Sequence, residues 1–124
     1  MPLHSVSVTR EGSIRSDRQL CEVMAHLSPS TPVIVMIHGF SYDPDRPAHD
    51  PHRLLLGPGG PWPEGLGVGC GDGAAPLVIG FGWSARGSFW KASRRARLAG
   101  RALAGLISTI HATGRTVHLI GHSL

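Results

Sequence analysis

The sequence predicts an α/β fold, a mostly parallel sheet with flanking helices, from three observations. Val33-Ile34-Val35-Met36-Ile37 and Leu77-Val78-Ile79-Gly80-Phe81 are apolar, largely β-branched runs suited to strands covered on both faces, and Val117-His118-Leu119-Ile120 is a third. Between the second and third, Phe89, Ala92, Ala96, Ala99, Leu103, Leu106 and Ile110 recur at steps of three and four, one apolar stripe on a helix over residues 89–111. Strand, long helix and strand in that order predict a right-handed crossover between parallel strands.

The remaining elements follow from local chemistry. Residues 3–9 alternate, with His4, Val6 and Val8 on one side, as in a half-buried or edge strand. Ser16-Asp17-Arg18-Gln19 has the spacing of a capping box, and Leu20, Val23, Met24 and Leu27 follow at helical intervals, which predicts a helix over 17–27. Pro29 and Pro32 end it. Gly114 is placed to stop the long helix, and a Ser at 84 or 88, or Gly87, is placed to cap its start; Ser84 is the expected cap.

With 124 residues and 41% hydrophobic content, the chain supports one modest core. Its 17 Gly and 10 Pro cluster between Pro44 and Pro76, marking a long loop over 41–75, with a short helix near 51–56. Cys21 and Cys70 are too few for a disulfide framework and are expected to be reduced. No stretch reaches the roughly 18 apolar residues of a membrane span, and no leader pattern precedes the first strand, so a cytoplasmic location is expected.

Charge is unevenly spread. Residues 73–124 carry seven Lys or Arg and no acid, and five of the seven (Lys91, Arg94, Arg95, Arg97 and Arg101) lie on the long helix. A solvated helix face explains this better than a nucleic-acid or lipid surface, because the apolar stripe is needed for the sheet and only Phe89 and Trp90 offer aromatic faces. No nucleic-acid partner is expected.

In parallel sheets function gathers at the carboxyl ends of the strands. The three buried runs lead into His38-Gly39-Phe40, Gly82-Trp83-Ser84 and Gly121-His122-Ser123. Gly-x-Ser gains meaning where a strand turns sharply into a helix, since small residues are then needed two before and two after the Ser. Ser84 has Arg86 two residues on, whereas Ser123 follows Gly121 directly off a strand. A His-Gly after an earlier strand is the complementary feature, because Gly lets a backbone N–H approach a developing oxyanion.

On these residues the chain resembles the N-terminal half of an α/β-hydrolase, over 33–124, ending at the nucleophile elbow. It is most similar to poorly characterised bacterial members with a long loop like that beginning "SYDPDRPAHD". The resemblance implies a serine hydrolase of the carboxylic-ester or lipase type. Ser123 would be the nucleophile, with the backbone N–H groups of Phe40 and Leu124 as oxyanion donors and His38, Gly39, Gly121 and His122 as supporting motif residues. The substrate would be a small ester or acyl compound, with no cofactor. The family's acid and His follow the nucleophile, so they are expected beyond Leu124, and the 124-residue chain alone is expected to be inactive. The alternative is a non-catalytic truncated paralogue or binding module that keeps the hydrolase sheet.

Three further features resolve to plainer readings. His122 is expected to point away from Ser123, and His38 to shape its loop, so neither serves as general base. Asp43, Asp45, His49, Asp50 and His52 lie in a Pro-stiffened loop where no metal is expected, although His49-x-x-His52 has ligand spacing; that loop, with Trp62 and Trp83, is expected to shape the acyl pocket. The Gly-rich segment 65–73 fits no phosphate-binding register. The strand ending at Gly121 would be an uncovered edge here, so self-association is expected.

Overall fold

The computed structural model describes residues 3–16, 18–66 and 76–122. Ser123 and Leu124, with the Gly-rich segment from Gly67 to Ala75, lie outside them. Five strands form one sheet: β1 (Leu3–Val8), β2 (Ile14–Arg15), β3 (Val33–Ile37), β4 (Leu77–Gly82) and β5 (Val117–Gly121), in the order β2-β1-β4-β3-β5. All pairings are parallel except β1 with the two-residue β2. The α/β class therefore holds, and β1 is an inner strand rather than an edge.

Alternation along the strands splits the core into two layers. Val6, Val8, Val33, Val35, Ile79 and Phe81 face one side. There they meet Met24 of α1 (Leu20–Ala25) and Ala99, Leu106 and Ile110 of α3 (Phe89–His111). Each fully buried aliphatic side chain contributes roughly 1.5–3 kcal/mol there. Residues one step out of phase, Met36 and Val78, face the other side, where they meet Leu56.

That second layer comes from the stretch expected to be a long loop with a short helix near 51–56, and a helical turn is found there. It folds as a 3₁₀ turn (Pro47–His49), a π-helical turn (His52–Leu56) and α2 (Pro61–Gly65), and Leu55, Leu56, Trp62 and Leu66 lie on the sheet. The glycines of β4 permit this close approach. A Cβ on Gly80 would sit 3.1 Å from Leu56 Cβ, and one on Gly82 only 2.7 Å from His52 Nε2.

Several local expectations are corrected. The helix predicted over 17–27 spans only Leu20–Ala25, and Gln19 at its N-cap makes no side-chain bond. Ser16 Oγ instead donates to the Arg18 carbonyl at 2.7 Å, a local turn that competes with capping. The C-terminal end of α1 is held from afar: Arg115 Nη2 donates to the carbonyls of Met24, Leu27 and Ser28, a cation where the helix dipole favours one.

Ser88, not Ser84, caps α3, accepting a hydrogen bond from the Lys91 N–H at 3.3 Å. Phe89, assigned to the apolar stripe, is 60% exposed because it sits in the first turn, ahead of the sheet. Gly114 ends the helix as expected, at φ +82°. Finally, β5, an apolar run expected to stand here as an uncovered edge, pairs only with β3 among the described residues, and Leu119 is 52% and Ile120 38% exposed.

Candidate functional site

The carboxyl ends of β3, β4 and β5 form one rim. Parallel register sets Ile37 opposite Gly121, and the His122 N–H donates to the Ile37 carbonyl at 3.3 Å. The segments His38-Gly39-Phe40 and Gly121-His122 thus leave adjacent strands side by side. Ser123 and Leu124, the expected nucleophile and second oxyanion donor, lie outside the described residues.

His38 is fixed by its neighbours. It is buried, Nε2 accepts from the Trp83 N–H at 2.9 Å, and Nδ1, the protonated nitrogen that this requires, donates to the Gly39 carbonyl at 2.8 Å. Trp83 returns a bond from Nε1 to the His38 carbonyl at 3.0 Å, and the two rings stack 5.6 Å apart. Burial lowers the His38 pKa from 6.5 to about 4, outweighing the Gly39 bond that favours the charged ring, and nearby His52 acts in the same direction as burial. With both nitrogens engaged, the ring shapes its loop.

The His38 bond also orients the next peptide. With the Gly39 carbonyl held against the imidazole, the Phe40 N–H points the opposite way across the planar trans peptide. Among the described residues that N–H donates to nothing. Ser41 follows at φ +86°, a conformation uncommon for a non-glycine residue, and is pinned by its N–H to the Ala85 carbonyl, while Ala85 N–H reaches Tyr42.

Beside this rim an apolar cavity of about 290 Å³ opens between α3 and the strand ends, lined by Ile37, His38, Phe81, Trp83, Leu103 and His122. Trp62 comes from the opposite layer and meets the His122 ring edge-on at 6.5 Å. Of the two tryptophans expected near the pocket, Trp83 lines it and Trp62 approaches the rim from the other face.

Two polar clusters carried no signal in the sequence, because their members are far apart in the chain. Asp43 is fully buried and accepts from Ser84 Oγ at 3.1 Å, Arg10 Nη2 at 3.3 Å and the Asp45 N–H at 2.9 Å. Burial raises its pKa, but the Asp45 amide, the Ser84 hydroxyl and the Arg10 guanidinium together outweigh burial and keep it below the usual 3.8. Ser84 also accepts from Arg95 Nη1 at 3.2 Å, so this Gly-x-Ser serine joins a buried network. In the second cluster Ser7 Oγ lies 2.9 Å from His52 Nε2. His52 therefore faces the sheet, and among the described residues no three His, Cys, Asp or Glu side chains converge as a metal site.

No helix of the described residues is long and apolar enough to cross a membrane. No family model, curated protein or solved structure matches the chain.

Proposed function

We propose that this chain supplies the nucleophile strand and oxyanion loop of a serine hydrolase acting on a small ester or acyl substrate. The adjacency of the His38-Gly39-Phe40 and Gly121-His122 segments carries the reading: the two pieces of an acyl-transfer site must leave neighbouring strands from one rim. A Phe40 N–H turned away from the His38 ring is available to an oxyanion, and the apolar cavity beside His122 suits a short acyl group.

In this scheme Ser123 Oγ attacks the carbonyl carbon and passes its proton to a general base. The tetrahedral oxyanion collapses to an acyl-enzyme, expelling the alcohol, and water then releases the acid. His38 cannot be that base, since its Nε2 already accepts from Trp83. The base and its acidic partner are expected from residues after Leu124 in a longer protein, and the 124-residue chain alone is expected to show no turnover.

The test is covalent labelling of the protein extended past Leu124 with a fluorophosphonate. Stoichiometric modification of Ser123, abolished in Ser123→Ala, is the expected result. An unlabelled but folded extended protein would overturn the enzyme reading in favour of a non-catalytic module.

A further inference from the structure

A second cavity, of about 310 Å³, lies where the turn after β1, the start of the 41–46 loop and the approach to α3 converge. Its charged lining is Arg10, Arg46, Arg86, Lys91 and Arg95, with Asp43 as the one carboxylate. Among the described residues the ion pairs are Arg10 with Asp43 and Arg15 with Asp45. Arg46, Arg86, Lys91 and Arg95 therefore converge without a carboxylate ion-pair partner among the described residues. A solvated helix face does not account for this, because Arg95 is half-buried, with Nη1 fixed by Ser84 Oγ and by the Arg86 carbonyl at 2.8 Å.

The start of α3 opposes its own stability in the same way. Its first turn contains Lys91 and no acid, although the positive end of a helix favours anions. Gly87, at φ +112°, leaves the approach open: a Cβ there would lie 3.8 Å from Lys91 Cδ and 3.9 Å from Arg95 Nη1, and no side chain occupies that space. Five cations lining one concavity with a single carboxylate, Asp43, leave a net positive potential that a further anion relieves.

We propose that this cavity binds a phosphoryl group, free or borne by a small ester or a lipid headgroup. A tetrahedral dianion matches several guanidinium forks and an ammonium better than a single carboxylate would, and the volume admits the phosphoryl group with part of its substituent. The site does not depend on the hydrolase reading, since none of its residues belongs to the Phe40 and Ser123 rim.

Titration of the 124-residue chain with inorganic phosphate, at ionic strength held constant with sodium chloride, tests this. Phosphate is expected to raise Tm where chloride does not, and to shift the amide resonances of Gly87, Ser88 and Phe89. Arg86→Gln/Lys91→Gln is expected to weaken apparent affinity at least about tenfold. Arg97→Gln/Arg101→Gln, which alters exposed positions outside the lining, is expected to leave it unchanged. The amide shifts in the unaltered chain keep the test valid if the first variant folds poorly. Co-sedimentation with phosphatidic acid vesicles, against pure phosphatidylcholine, distinguishes the sources: vesicle retention that needs Arg86 and Lys91 points to a headgroup, and phosphate binding without retention to a soluble ligand. Equal effects of phosphate and chloride, or resonance shifts away from Gly87, would overturn the proposal.

Discussion

His38 and Trp83 bind each other twice, the Trp83 amide to the imidazole Nε2 at 2.9 Å and the indole Nε1 to the His38 carbonyl at 3.0 Å. This clamp joins the loops after β3 and β4 and depends on a neutral ring. Because the folded pKa lies near 4 and the unfolded one near 6.5, the unfolded chain binds the extra proton between them. The resulting stability is complete above pH 6.5 and is lost as pH falls through about 4, in all about 3 kcal/mol. Urea midpoints should fall over this window, and the fall should be largely absent in His38→Gln. A profile equally steep in the variant would contradict the assignment.

Two glycines make opposite predictions, Gly82 under the π-helical turn on β4 and Gly105 in α3 with open space beside it. Gly82→Ala forces a Cβ to 2.7 Å from His52 Nε2 and 2.9 Å from Pro44 Cγ, and is expected to cost about 1–3 kcal/mol. Gly105→Ala meets nothing within 4 Å inside α3 and is expected to stabilise by roughly 0.5–1 kcal/mol. Thermal melts of the two variants compare these signs directly.

Asp43 and Ser84 couple two loops through a buried bond at 3.1 Å. Asp43→Asn is expected to cost about 2 kcal/mol, since an ionised acceptor of three donors becomes a neutral amide. In a double-mutant cycle with Ser84→Ala the coupling should be on the order of 1 kcal/mol. Strict additivity would mean that the bond contributes nothing.

The uncovered strand β5 predicts self-association of the isolated chain. Leu119 and Ile120 are exposed on opposite faces, and the backbone edge away from β3 is unpaired among the described residues. Sedimentation should show a mass that rises with concentration, and Leu119→Lys/Ile120→Lys should move the distribution toward monomer. A monomeric parent chain at all concentrations tested would remove this prediction.

The elements legible in the sequence were those whose signal is local. β3 and the 23-residue α3 occupy the predicted positions, because an apolar run and a 3.6-residue stripe each fix one element without reference to anything else. Within the long loop the short helix near 51–56 was legible, but the turns at Pro47–His49 and Pro61–Gly65 were not, because their Pro and Gly content masks structure whose stability comes from lying on the sheet. Ser84 looked like a cap for the same reason: only Asp43, 41 residues earlier, reveals that its hydroxyl is buried in a polar network.

By itself, then, the sequence determined the α/β class, the strands β3 and β4 and the long helix, all written in residue order and periodicity. Tertiary structure alone decided the strand order, the burial and neutrality of His38, and the gathering of Arg10, Arg46, Arg86, Lys91 and Arg95 around one cavity. Those features depend on packing between segments tens of residues apart, and no local pattern records which distant partner a side chain will meet.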